Sequence, residues 1–220
     1  MLMFILIFIQ GFGPFKEFLV NPSWKAAQVM IKVTYFCHVT LHRHAFCQMT
    51  LQALKEAGLG EKFEVHSMEV PVSYVKTQQI ITELWQSLQP KFAVHLGIAR
   101  GSRVLLLEQS GRNRGYKDRD VCGFCPKSCM EGGPEKLHSI INMRAVSKHF
   151  KDTGMDVLPS ADAGRFLCDF AYYCSLYHGH QRAAFIHIPS SGCLASADRL
   201  VPVLQTVILT MLQQLEDGEE

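Results

Sequence analysis

Hydrophobic positions along this chain fall into two rhythms, short unbroken runs and wider helical spacings. Residues 1–9 (MLMFILIFI) are a continuous apolar run that meets the turn chemistry of Gln10-Gly11-Phe12-Gly13-Pro14. A run this short, bounded by Gly and Pro, predicts a strand buried on both faces. It does not predict a bilayer span, which needs about 20 apolar residues, nor a signal peptide, which starts with basic residues. Asn21-Pro22-Ser23-Trp24 reads as a helix start, with Asn21 as N-cap and Pro22 at the first helical position. Helical character returns at residues 52–57 and stops at Gly58-Leu59-Gly60.

The pattern is cleaner from there on. Residues 63–70 (FEVHSMEV) alternate as a strand does. Residues 73–88 set Val75, Ile80, Ile81, Leu84 and Trp85 on one side of a helix that ends before Pro90. Residues 91–97 (KFAVHLG) predict another buried strand, and residues 104–107 a short apolar run closing on Glu108. Residues 111–134 are polar and loop-rich. A weak strand at residues 156–158 ends in Pro159-Ser160, and a helix follows over residues 162–177 with Phe166, Leu167, Phe170, Ala171 and Cys174 inward. Residues 183–188 (AAFIHI) form a strand closed by Pro189, and residues 198–215 an amphipathic helix running into an acidic tail. Strands alternating with helices predict a three-layer α/β/α sandwich around a mostly parallel or mixed central sheet. The 220 residues suffice for one domain with a sizeable core.

Composition narrows the functional classes. Lys and Arg number 22 against 20 Asp and Glu, a formal charge of +2, so nothing calls for a nucleic-acid or anionic-membrane partner. Eight cysteines, at 37, 47, 122, 125, 129, 168, 174 and 193, are too sparse for a disulfide scaffold of this length. A reducing, cytoplasmic setting fits them best. Residues 29–51 break the periodic pattern and carry Cys37, His38, His42, His44 and Cys47, whose spacing matches no usual zinc arrangement. That stretch reads as a surface insertion, and no metal is expected.

Three segments place reactive side chains where strand ends meet helix starts, the usual location of sites in open α/β sheets. In Ser160-Ala161-Asp162-Ala163-Gly164-Arg165-Phe166-Leu167-Cys168-Asp169, Ser160 or Asp162 can cap the helix, with Cys168 in its first two turns. The N-terminal end of a helix favours a thiolate, the reactive form. By itself, a cysteine on a helix is more often a buried structural residue, as Cys174 is expected to be. His187 lies near the end of an apolar strand, where it is either a satisfied core histidine or a general base. Glu108 closes another strand, as a surface carboxylate or as the partner that orients an imidazole.

Taken together these segments resemble the pyroglutamyl-peptidase I family over almost the whole chain. The resemblance is carried by Gly11-Phe12-Gly13-Pro14-Phe15, Val20-Asn21-Pro22-Ser23-Trp24, Glu69-Val70-Pro71-Val72 and His95-Leu96-Gly97. Asn113-Arg114-Gly115-Tyr116, Gly123-Phe124-Cys125-Pro126, the segment from Asp162 through Cys168 to Phe170, and Phe185-Ile186-His187-Ile188-Pro189 complete it. The resemblance implies Cys168 as nucleophile, His187 as base and then acid, and Glu108 as the orienting carboxylate. It implies hydrolytic removal of an N-terminal pyroglutamyl residue from peptides, without a metal or organic cofactor. A pyroglutamyl lactam is neutral and flat and calls for an apolar slot with a few backbone hydrogen bonds. The resemblance places Phe12 and Phe15 in that slot; otherwise they are ordinary core aromatics. It also makes Cys122, Cys125 and Cys129 free thiols in a cysteine-rich loop.

The chain departs from the family's pattern at Gln10, where a Thr usually ends the first strand, and at Arg100, Leu106, Gln109 and Pro159 around the acid and the cysteine motif. Residues 29–51 make the first-helix region longer by about two dozen residues. These departures support a competing reading, a paralogue with weakened or lost catalysis that acts as a binding or regulatory protein. A Cys/His metal-binding module is a weaker third.

Overall fold

A computed structural model describes residues 5–12, 63–99, 101–151, 153–189, 191–192, 194 and 197–218. The helix start at Asn21, the helix at residues 52–57, the insertion at residues 29–51, Phe15 and Arg100 lie outside the described residues. The described strands are β1 (Ile5–Phe12), β2 (Phe63–Val70), β3 (Phe92–Ala99), β4 (Leu105–Glu108), β5 (Ser110–Arg112), β6 (Lys136–His138), β7 (Val157–Ser160) and β8 (Ala183–Pro189). The described helices are α1 (Tyr74–Ser87), α2 (Met143–Lys148), α3 (Leu167–His178) and α4 (Ala197–Asp217).

Six strands form one sheet in the order β2-β1-β3-β8-β4-β7. β1 runs parallel to β2 and β3, and β3 parallel to β8. β4 is antiparallel to β8 and parallel to β7, so the sheet is mixed. β8 is paired on both edges and buried at every position, which is why AAFIHIP reads as an unbroken apolar run with one histidine in it. β5 and β6 make a separate antiparallel pair.

The strand alternation sorts the core into two layers, one on each face of the sheet. Phe92, Val94 and Leu96 of β3, with Leu105, Leu107, Ile186 and Ile188, pack against Met143 and Val146 of α2 and Leu204, Val207, Ile208 and Met211 of α4. On the other face Ala93 and Phe185 meet Tyr74, Ile81, Leu84 and Trp85 of α1 and Phe170, Tyr172, Tyr173 and Cys174 of α3. Each such large side chain fully buried contributes about 1.5–3 kcal/mol. The α/β/α sandwich expected from the alternating pattern is the one observed.

α1 covers Tyr74–Ser87, one residue inside the predicted range at each end. It stops where Gln89 takes a φ of 45°, ahead of Pro90, which cannot continue a helix. α3 differs more from expectation. It begins at Leu167, with Phe166 as an N-cap that makes no side-chain cap bond, so neither Ser160 nor Asp162 caps it. The physical reason lies in residues 162–165. The Asp162 carboxylate accepts from the Gly164 N–H and pairs with the Arg165 guanidinium, and Gly164 sits at a φ of 93°. This local turn holds the backbone out of the helix, and the positive φ suits a residue without a Cβ. Cys168 is therefore the second residue of α3.

Candidate active site

The site is assembled on the sheet face covered by α1 and α3. Paired registers align one row of residues across the sheet: Met68, Gln10, His95, Phe185, Glu108 and Ser160. The next row on the same face contains Gly97, His187 and Leu106. Glu108 and His187 are thus diagonal neighbours on adjacent antiparallel strands, a spacing that long side chains span. His187 Nδ1 lies 2.8 Å from Glu108 Oε1, and both side chains are buried. The imidazole also hydrogen-bonds the Cys168 thiol, which reaches the sheet from the first turn of α3.

Three elements therefore bring Cys168, His187 and Glu108 into one chain of contacts. Burial by itself pulls the His187 pKa down. The hydrogen bonds to Cys168 and Glu108 and the charge attraction of both more than offset it, leaving the imidazole at about 9. Near neutral pH the ring then carries both protons, donating Nδ1–H to the carboxylate and presenting Nε2–H to the sulfur.

Gly97 clears the space for the sulfur. A Cβ at this position would lie 3.1 Å from Cys168 Sγ and 2.6 Å from Phe185 Cζ, so the close approach of α3 to β3 excludes any side chain here. The Phe185 ring packs against His187 with centroids 4.8 Å apart and stacks on His95 at 6.2 Å. His95 is fully buried, and burial pushes its pKa down to about 3, so it stays neutral. Gln10, its register neighbour, is also fully buried; among the described residues neither its amide atoms nor the His95 ring nitrogens have a hydrogen-bond partner.

An aromatic cluster flanks the cysteine. Tyr74 meets Phe166 at 5.8 Å, Phe170 at 4.9 Å, Tyr116 at 5.8 Å and the half-exposed Phe124 at 6.4 Å. Asp120 fixes this wall by accepting N–H bonds from Tyr74, Cys122 and Phe124, each at 2.9 Å. Cys122, Cys125 and Cys129 carry free thiols. Cys174 is buried on α3 with its thiol against that of Cys129, as expected of a structural cysteine.

The remaining sequence-selected positions can be placed individually. Phe12 is the last residue of β1, one position beyond the Gly11–Leu96 pair, which brings its backbone to the strand ends beside Gly97. Gln109 has a structural duty: its Nε2 donates to the Ser139 and Ile141 carbonyls, and its Oε1 accepts from Met143 N–H. It clamps the start of α2 rather than entering the site. Leu106 lies directly opposite His187 on β4, and Pro159 opposite Leu107 on the β7 side. Sequence reading gave no role to Tyr74, Asp120, Phe185 or Tyr172. For Phe185 a signal existed, since it precedes His187 by two residues and so shares its face of the strand.

Residues 46–208 match the family described as pyroglutamyl peptidase. The human protein named pyroglutamyl-peptidase 1 is 41% identical over 217 residues, covering 97% of this chain and 92% of its own. The human pyroglutamyl-peptidase 1-like protein is 38% identical over 170 residues, covering 76% of this chain and 87% of its own. Among solved structures, the pyrrolidone carboxyl peptidase of Thermococcus litoralis superposes with a TM-score of 0.73 at 20% identity, covering 97% of this chain and 96% of that one. The pyroglutamyl peptidase I of Bacillus amyloliquefaciens gives 0.72 at 23% identity, covering 95% of each chain. This chain belongs to the pyroglutamyl peptidase family.

Proposed function

We propose that this protein is a cysteine peptidase that removes the N-terminal pyroglutamyl residue from peptides, with Cys168 as nucleophile, His187 as acid and base, and Glu108 as the carboxylate that orients the imidazole. The observation that carries the reading is the continuous contact from Glu108 through His187 to Cys168, three residues that β4, β8 and α3 supply separately.

The Cys168 thiolate attacks the pyroglutamyl carbonyl carbon, and negative charge develops on its oxygen. Because α3 lacks a side-chain N-cap, its first-turn N–H groups are not taken up by a capping side chain and stand beside the reacting carbon to stabilise that oxyanion. The His187 imidazolium gives its Nε2 proton to the departing amine as the C–N bond breaks, leaving a thioester on Cys168. Neutral His187 then takes a proton from water, whose oxygen attacks the thioester. Pyroglutamate leaves, and the ion pair is restored. Glu108 holds Nδ1 throughout, keeping Nε2 aimed at sulfur and leaving group.

The neutral lactam is received by apolar surface. By the family resemblance Phe12 and Phe15 line one side of the slot, and the Tyr74–Phe166 pair next to Cys168 supports the other. Free thiols at all five described cysteines favour a reducing, cytoplasmic setting. Among the described residues no helix is long and apolar enough to cross a membrane.

The test is release of fluorophore from a fluorogenic pyroglutamyl amide by the purified protein, beside Cys168→Ala. Turnover by the wild type and background release by the variant are expected. Equal, background release from both would sink the peptidase reading.

A further inference from the structure

We infer that Tyr172 is a positioning residue for the reaction: it locks the nucleophile's helix to the backbone of the acid and to the aromatic support of the base. The inference rests on the peptidase reading of the Cys168 site and adds a residue that neither motif nor spacing marks.

Tyr172 stands one helical turn after Cys168, so both side chains leave α3 on the face that meets the sheet. Its hydroxyl donates to the Glu108 main-chain carbonyl at 2.7 Å. Glu108 is the last residue of β4, paired with Phe185 of β8 and Ser160 of β7, and the phenol adds a tie from the helix above the sheet. The bond thus fixes the point from which the acid side chain reaches His187. The phenol is fully buried, and burial pushes its pKa well up, so it remains a proton donor at any working pH. The Ser139 hydroxyl touches the same oxygen, and Ser139 in turn donates to the Ala183 carbonyl at 2.7 Å, the first residue of β8.

The ring makes the second connection. It packs on Phe185 with centroids 5.8 Å apart, and Phe185 packs on His187 at 4.8 Å. One side chain therefore braces the carboxylate through its backbone and the imidazole through its neighbour, from the helix that carries the sulfur. A displacement of 1 Å among such groups is enough to cost orders of magnitude in rate.

The neighbouring residue supplies the control. Tyr173 is also buried on α3, and its hydroxyl donates to the Pro134 carbonyl at 2.6 Å, in the loop away from the trio. Tyr172→Phe and Tyr173→Phe each delete one hydroxyl and its hydrogen bond to a backbone carbonyl while keeping the ring, the first bond buried and the second part-buried. Tyr173→Phe thus shows what loss of such a bond on α3 does away from the trio.

Both variants and the wild type are compared in three measurements: kcat and KM on a fluorogenic pyroglutamyl amide, the basic limb of the kcat/KM profile, and the rate at which iodoacetamide alkylates Cys168. Tyr172→Phe is expected to lower kcat about tenfold with KM changed less than about twofold. Its basic limb should move down by roughly one pH unit, because the carboxylate holds the imidazolium less well, and Cys168 should alkylate several-fold more slowly near neutral pH. Tyr173→Phe should match the wild type in all three. Equal behaviour of the two variants, whether both unchanged or both impaired, overturns the inference. Should the wild type fail to turn over substrate, the peptidase reading falls separately, and the alkylation rates still decide whether Tyr172 positions the site.

Discussion

His187 has to hold a proton in a place where burial opposes charge. Its ring is 7% exposed, yet its pKa stands at about 9, because a carboxylate and a sulfur flank its two nitrogens. The base's working range is therefore set by Glu108 as much as by the imidazole. Glu108→Gln can keep a hydrogen bond to Nδ1 but removes the negative charge that favours the imidazolium. It should lower kcat by about two to four orders of magnitude, less than loss of His187 itself. The basic limb of kcat/KM, expected near 9 in the wild type, should fall by at least about one unit toward the ordinary histidine range. A pH–rate profile of the variant decides it; a limb that stays where the wild type has it means that Glu108 does not set the imidazole's protonation. At this scale the sequence was informative in kind but not in arrangement. The types Cys, His and Glu at strand and helix ends were legible, because each breaks an apolar pattern. That Glu108 lies diagonal to His187 was not, because antiparallel pairing of β4 with β8 is a long-range event that leaves no local periodicity.

Elements were legible in proportion to their length and burial. β3, β8 and α1 were predicted within one or two residues because their apolar spacing runs over two turns or most of a strand. The β5–β6 pair has three residues per strand and α2 has six, too few for a period to show. Residues 116–125 read as plain loop, yet they carry a tether that shapes the site. The Asp120 carboxylate accepts three backbone N–H bonds, one of them from Tyr74 at the first residue of α1, and so joins the cysteine-rich loop to that helix. Burial raises its pKa, but these bonds outweigh that and hold it below the ordinary 3.8. The stability it contributes is present above that ordinary value and lost as pH falls through the lower folded one. Asp120→Ala strands the buried Tyr74 N–H and frees two part-buried donors, and should cost about 1–3 kcal/mol in urea unfolding at pH 7. The Tyr74–Phe166 wall beside Cys168 should loosen with it, raising KM for the pyroglutamyl amide. Unchanged stability and KM together would show that the loop docks without this carboxylate.

Buried groups with opposite shifts set the pH response of the whole molecule: Asp169 and His187 make stability fall as pH rises, while His95, held at about 3 against an ordinary 6.5, makes it rise over that interval. Asp169, next to the nucleophile, is fully buried; its Oδ1 accepts the Arg112 N–H at 3.0 Å, tying α3 to β5. Burial pushes its pKa up to about 7 from an ordinary 3.8, against the pull of the Arg112 bond and of Arg165. At this carboxyl the folded state therefore binds a proton more tightly than the unfolded chain over pH 4–7, and the Asp169 contribution to stability declines as pH rises through that interval. For His187 the folded pKa of about 9 again exceeds the ordinary 6.5, so its contribution is complete below 6.5 and is lost as pH climbs to about 9. That second contribution is on the order of 3 kcal/mol at most. The Asp169 decline and the His95 rise oppose each other between about pH 4 and 6.5, so thermal midpoints should be nearly level there and fall between about pH 6.5 and 9 as His187 loses its proton. Variants separate the parts. Asp169→Asn retains an acceptor for Arg112 N–H and should turn the level acidic window into a rise with pH, carried by His95, while leaving the alkaline fall. His187→Ala should remove the alkaline fall and leave the acidic window level. Calorimetric midpoints at one-unit intervals give the test, and parallel curves for the wild type and both variants would show that neither group carries the linkage. A peptidase working on the alkaline side would then act while its own ion pair is giving up stability. The site gains a protonated imidazole in a buried position, and the stability that this proton adds is what the fold gives up as pH rises.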